Sequence, residues 1–359
     1  MTLTRETALA ALDSHIDPLI GRGLVAAGVV KNVEVSAGRV RVELELGFPA
    51  VSIKAALAAA VAQTIRNATG ADCEVAVGWK IQSHAVQKNL KPLPEIRNII
   101  AVASGKGGVG KSTVAVNLAL ALHLEGARVG ILDADIYGPS QPRMLGSTDR
   151  PTSPDGKRMN PIEAHGIQAM SIGFLIDEKE PMIWRGPMVT QALNQLLAET
   201  MWKDLDYLVV DMPPGTGDVQ LTLSQRVPVS GAVIVTTPQD IALLDARKGL
   251  AMFRKVEVAV LGVVENMSTH VCSNCGHEEA IFGAGGGERL AQQYGVALLG
   301  QLPLNIRIRE QADGGRPTVI AEPQSDLALR YRDIARKAAA RLAYGTPAAA
   351  FPEISVADD

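Results

Sequence analysis

Short runs of β-branched and aliphatic residues recur along most of the chain, at 99–103, 129–132, 207–210, 232–236, 258–264 and 296–299. Most are apolar at successive rather than alternating positions. A strand with one wet face alternates with period two, so continuous runs predict strands covered by helices on both faces. Helical patterns fall between and after them. Residues 114–124 form one, and 325–342 another, with Leu327, Tyr331, Ile334, Ala338 and Leu342 on a single stripe and Arg332, Arg336 and Arg341 largely off it. This alternation implies βαβ crossovers, so the fold class expected is α/β with a doubly wound, mostly parallel sheet.

The first 86 residues differ in texture. A helix is expected up to residue 19. Val40, Val42, Leu44 and Leu46 then alternate with polar neighbours as a half-buried strand does, Ile53, Leu57, Val61 and Ile65 repeat at helical spacing, and 74–77 read as a closing strand. Residues 1–86 are therefore expected to form a small N-terminal α/β domain able to fold alone. The polar stretch with Pro92 and Pro94 marks a linker over 87–97. That leaves 98–345 for a large domain and 346–359 for an acidic tail.

Composition narrows the function classes. With 47% hydrophobic and 20% charged residues, the 359-residue chain is globular rather than disordered. Its 35 basic and 38 acidic residues give a net charge of −3, which excludes a polycation built for nucleic acid. Three cysteines are too few for a secreted disulfide scaffold of this length, so a reducing cytoplasm is expected. The N-terminus lacks the pattern of a secretory signal, and no apolar stretch is long enough to span a membrane.

The sharpest chemical signal is GKGGVGKST, residues 105–113, between the first large-domain strand and the helix over 114–124. Gly105, Gly107, Gly108 and Gly110, with Val109 between them, let backbone N–H groups turn in around phosphate oxygens at a helix N-terminus. Lys111 then reaches the terminal phosphates. Ser112 supplies a hydroxyl to Mg2+, and Thr113 completes the loop. The run YLVVD ends in Asp211 at a strand's carboxyl end, where a carboxylate holds Mg2+ through water.

A second lysine in the loop, Lys106, is not needed for its own chain's phosphate, and with it the loop resembles the deviant Walker A of the ParA and MinD group of dimeric ATPases. The resemblance implies that Lys106 reaches the partner's nucleotide and that two copies form a homodimer. It also makes LDADIYGPS the first switch, with Asp135 handling water or Mg2+ beside the γ-phosphate and Asp133 in support. Asn266 would contact adenine, which makes ATP the expected nucleotide, and the loop at 303–305 would cover the base.

HVCSNCGHEEAIFG, residues 270–283, gathers the chain's candidate metal ligands. Cys272 and Cys275, three apart and followed by Gly276, suit a knuckle whose backbone N–H groups face both sulfurs. Two metals fit that motif. A 4Fe-4S cluster takes four thiolates, which two protomers of the implied dimer supply across their two-fold axis. Zinc within one chain would instead recruit His270 and His277. Cys73, among Ala71, Val75 and Val77, reads as a buried thiol and not a ligand.

The P-loop, Asp135 and Asp211, Trp184–Pro187 in WRGP and the cysteine pair together resemble the Mrp/ApbC family of ATP-dependent iron-sulfur cluster carriers over nearly the whole chain. HIDPLIGRGLVAAGVVKNVEV, at 15–35, is similar to the small assembly-factor domain often fused ahead of that ATPase, with Asp17-Pro18 characteristic. Ser273 departs from the family, which has proline there. The resemblance implies slow ATP hydrolysis coupled to loading or transfer, with apo iron-sulfur proteins and cluster donors as partners, and neither membrane nor nucleic acid. A positioning or regulatory ATPase of the ParA/MinD kind with a structural zinc knuckle is the alternative. A reductase like the nitrogenase iron protein is disfavoured because it draws two well-separated cysteines from each chain.

Overall fold

The computed structural model describes residues 3–88, 90–176, 186–272 and 274–345. Trp184, Arg185, Ser273 and the acidic tail lie outside them. No helix among the described residues is long and apolar enough to cross a membrane.

Alternation builds the small domain. It runs α1 (Arg5–Ser14), β1 (Val30–Ser36), β2 (Arg39–Leu46), α2 (Lys54–Thr69) and β3 (Asp72–Trp79). β2 is central, antiparallel to β1 and parallel to β3, with Val42 opposite Val33 and Val75. Leu57, Val61 and Ile65 of α2 are buried. The first helix stops at Ser14 and not at residue 19. Pro18 disfavours the helical conformation at Asp17, whose Oδ1 instead accepts from the backbone N–H groups of Leu19 and Ile20 at 2.8 and 3.1 Å. Asp17 is buried, and its work is to hold that turn.

The large domain continues with β4 (Ile96–Ala103), α3 (Lys111–Leu124), β5 (Val129–Asp133), α4 (Gln141–Met144), β6 (Ile162–Ala164), β7 (Ile167–Ser171), α5 (Gly186–Ala198), β8 (Leu205–Asp211) and α6 (Asp218–Arg226). It closes with β9 (Gly231–Thr236), α7 (Asp240–Lys255), β10 (Val260–Glu265), β11 (His270–Val271), β12 (Glu278–Glu279), α8 (Gly286–Tyr294), β13 (Leu298–Gln301), α9 (Ile306–Asp313), α10 (Thr318–Ala321) and α11 (Asp326–Tyr344). Eight strands form one sheet in the order β13-β10-β9-β4-β8-β5-β7-β6, parallel except for the β6–β7 hairpin at its edge. β11 and β12 form a separate two-stranded ribbon.

Burial on both faces is visible in single strands. Ile100 and Val102 of β4 enter one core with α3 and α11, while Ile99, Ala101 and Ala103 enter the other with α5 and α7. The first of these cores runs unbroken into the small domain, so the two units share one apolar interior. Residue 97, expected in the linker, lies inside β4. The segment before it is pinned: Asn98 Nδ2 donates to the Gln82 carbonyl at 2.8 Å, and Gln87 Nε2 to the Ser224 carbonyl at 2.7 Å.

The arginines of the last helix are not all a solvated face. Glu125, fully buried at the end of α3, accepts from Arg332 Nε and Arg336 Nη1, both at 2.9 Å. The same carboxylate accepts from Ser52 Oγ at 2.6 Å and Ser52 N at 3.0 Å, which fastens the small domain to α3 and α11.

Candidate functional site

The strands β4, β5, β8 and β10 deliver their candidate residues at the carboxyl edge of the sheet, where parallel topology places the loops before the helices. The glycine-rich loop leaves β4 at Ser104 and enters α3 at Lys111. Gly108 and Gly110 have φ of 82° each, a conformation that favours glycine. Gly105 is required for space instead. A Cβ there would lie 2.1 Å from the carbonyl carbon of Asp245 in α7. Among the described residues, the backbone N–H groups of Gly107, Gly108, Gly110 and Lys111 have no protein acceptor. Val109 is buried, Lys106 and Thr113 are half-buried, and Gly107 and Gly108 face solvent.

Beneath the loop the polar groups interlock. Lys111 Nζ pairs with Asp211 Oδ1 and donates to Ser112 Oγ at 3.1 Å. Gln141 Nε2 donates to Asp211 Oδ2 at 2.8 Å and to the Ser112 carbonyl at 3.2 Å. Gln141 is buried at the start of α4, and the sequence reading did not include it. Its only sequence cue is its place just after the switch segment. Asp133 is fully buried and accepts from the N–H groups of Asp135, Ser140 and Gln141 and from Ser171 Oγ. Burial, and after it the charge of Asp211, pushes Asp133 up to about 7. Burial also raises Asp135, against the pull of Lys111.

Two buried acceptors here, Ser140 Oγ and Gln141 Oε1, have no hydrogen-bond partner. Unspent oxygens beside two carboxylates and a serine hydroxyl suit a hydrated cation, and free loop amides suit phosphate oxygens. The residues present thus fit a Mg-nucleotide. Asn266, at the end of β10, is buried against this loop, with Nδ2 donating to the Val109 carbonyl at 2.9 Å. Its second N–H and its carbonyl are what it has to offer a base. Asn305 caps α9 by accepting from the Arg307 N–H.

Cys272 and Cys275 sit in the turn of the β11–β12 ribbon. Cys272 N donates to the His277 carbonyl and Gly276 N to the Cys272 carbonyl, both at 2.9 Å, with Gly276 at φ 71°. Cys275 is exposed, and hydrogen bonds from the backbone N–H groups of Cys275 and Asn274 lower the Cys272 thiol. The zinc set does not assemble: among the described residues no three His, Cys, Asp or Glu side chains are placed to hold a metal. His270 turns Nδ1 to the Leu304 carbonyl at 3.3 Å. Cys73 is half-buried on β3, and its thiol is raised by burial.

A phosphate loop at the carboxyl edge of a doubly wound sheet, with buried carboxylates at the ends of two adjacent strands, defines a P-loop NTPase. Residues 95–339 match the family described as the NUBPL iron-transfer P-loop NTPase, and residues 5–77 match the iron-sulfur cluster assembly protein family. The iron-sulfur cluster carrier protein of Haemophilus influenzae is 55% identical over 329 residues, covering 90% of this chain and 88% of that one. The chain belongs to this family of iron-sulfur cluster carriers. A nucleotide-binding protein of Archaeoglobus fulgidus, solved in complex with ADP, is 38% identical with a TM-score of 0.57 over 65% of this chain and 91% of its own. The cell division ATPase MinD of Pyrococcus furiosus, 23% identical, shares the fold with a TM-score of 0.51 over 67% of this chain and 97% of its own.

Proposed function

We propose that the chain works as a homodimeric ATPase that carries a 4Fe-4S cluster, its cargo, between two protomers and passes it to apo-proteins. The observation that carries this reading is the ligand count: Cys272 and Cys275 share one turn, and no third His, Cys, Asp or Glu joins them among the described residues. A cubane takes four ligands, so a second copy completes the set. The turn is exposed at Cys275, which suits cargo that must leave.

Lys111 and the loop amides bind the phosphates of ATP, and Lys106 reaches the partner's nucleotide. Ser112 and Asp211 hold Mg2+, which supplies charge neutralisation of the phosphates. Gln141 holds Asp211 in place and Asp135 orients water. Hydrolysis is slow and serves as a switch on how the two protomers face each other. Cluster donors and apo iron-sulfur proteins are the partners, and the setting is the cytoplasm.

The test is the iron, acid-labile sulfide and zinc content after anaerobic reconstitution of wild type and of the double variant Cys272→Ser, Cys275→Ser. About two irons and two sulfides per chain, lost in the variant, support a shared cubane. About one zinc per chain without sulfide overturns it.

A further inference from the structure

The segment between the phosphate loop and the cysteine turn is bonded along its length. At one end Asn266 holds the Val109 carbonyl of the loop. Met267 follows with φ of 56°, a strained value for a side-chain-bearing residue, which persists only where the surroundings fix it. Next, Ser268 N donates to the Leu302 carbonyl at 2.9 Å, and its Oγ to the same oxygen at 3.1 Å. Leu302 N is bound to the Glu265 carbonyl at 2.9 Å, and Leu304 N to the Thr269 carbonyl at 2.7 Å. His270 also faces Leu304 in an isolated parallel bridge, and its side chain adds a bond of its own. His270, with its ring proton on Nδ1, donates to the Leu304 carbonyl at 3.3 Å, while its backbone already pairs with Glu279 of β12.

Residues 268–270 thus lie bonded to 302–304, with Asn266 tied to the phosphate loop on one side and Cys272 N tied to the His277 carbonyl on the other. Cys272 lies six positions after Asn266, at most about 20 Å of chain. A segment with slack absorbs a displacement at one end in its dihedrals, whereas one fixed by successive hydrogen bonds moves as a unit. We infer that this strap carries the nucleotide state of the phosphate loop to the cysteine turn, with His270 as the positioning residue that pins the turn to the 302–304 loop. The inference rests on Cys272 being a cluster ligand and names how that site is regulated. His270 was a candidate zinc ligand by spacing alone; its ring instead fixes where the ligand-bearing turn sits.

The test is made on the full-length, cluster-free protein, so that it does not depend on cluster stoichiometry. The rate at which iodoacetamide alkylates Cys272, read by peptide mass spectrometry, is compared with Mg-ADP and with a non-hydrolysable ATP analogue bound. In wild type the two rates differ by about fivefold or more, the lower end for coupling between two sites. In His270→Ala the ratio falls to about one with ATP hydrolysis retained, and His270→Asn, whose amide again reaches the Leu304 carbonyl, restores it. A wild-type ratio of one with nucleotide bound, or a wild-type ratio kept in His270→Ala, overturns the strap whatever the metal content shows. Should His270→Ala fail to fold, Ser268→Ala removes another side-chain bond of the strap. A reduced ratio there supports it, and an unchanged one overturns it.

Discussion

Lys111 and Asp211 are ion-paired under the phosphate loop, with 6% and 0% of their side chains exposed. The lysine suited to the terminal phosphates and the carboxylate suited to Mg2+ thus hold each other. Truncating one partner leaves the other buried and uncompensated, so Lys111→Ala is expected to cost about 3–5 kcal/mol of stability, read by urea denaturation. Asp211→Asn keeps the shape and is expected to slow ATP hydrolysis about 100- to 1000-fold while a fluorescent nucleotide still binds. Hydrolysis at the wild-type rate would remove Asp211 from the mechanism.

Asp133 makes stability depend on pH. Its carboxyl is raised to about 7 in the folded chain, against about 3.9 in an unfolded one. Between those values the folded state keeps a proton that the unfolded state has lost. The contribution of this carboxyl to stability therefore falls as pH rises and levels off above about pH 7. Asp133→Asn does not titrate, so its urea midpoint is expected to change less than that of wild type between about pH 5 and about pH 8. Equal slopes would show that Asp133 is not the group responsible.

Gly105 packs against the backbone of α7. Alanine there forces the loop and helix apart, which costs about 1–3 kcal/mol of stability and weakens nucleotide binding, measurable by isothermal titration. Gly108→Ala meets no atom within 4 Å but stands at φ 82°. Its penalty is backbone strain of about 1 kcal/mol, smaller than that at Gly105. The reverse order would contradict the packing.

Glu125 carries two arginines and a serine of the small domain. Glu125→Ala leaves Arg332 without its carboxylate and Arg336 with only Asp333, at 3.4 Å, and is expected to cost about 3–5 kcal/mol in chemical denaturation. A loss below about 1 kcal/mol would place the cluster among pairs of little energetic weight.

Local rules were enough for the glycine loop, for the strands apolar on both faces and for the paired cysteines, because each is fixed within a few residues. Gln141 was not legible, since only the fold brings a residue of a one-turn helix against Asp211 from another strand. The β6–β7 hairpin was hidden by its length, although His165 and Gly166, at φ 50° and 82°, make the tight turn that such a pair needs. The pairing of Arg332 and Arg336 was not legible, because a helical wheel shows which residues leave the apolar stripe but not that a buried carboxylate at the end of α3 awaits them. The histidines show the opposite limit: spacing along the chain put His270 and His277 within reach of the cysteines, and among the described residues the fold brings no such set together.

The unbroken core beneath the small domain settles a question of geometry. A module on a free tether searches a sphere, and a linker of this length would let a captured molecule meet the cysteine turn at any angle. Here Trp79 fills the space where a side chain at Gly126 would stand, Tyr344 Oη accepts from Gly47 N at 2.7 Å, and Glu125 binds Ser52, so that sphere shrinks to one bearing. Whatever docks on the small domain is presented to the rest of the molecule in a fixed orientation, as a tool in a vice rather than a hook on a line.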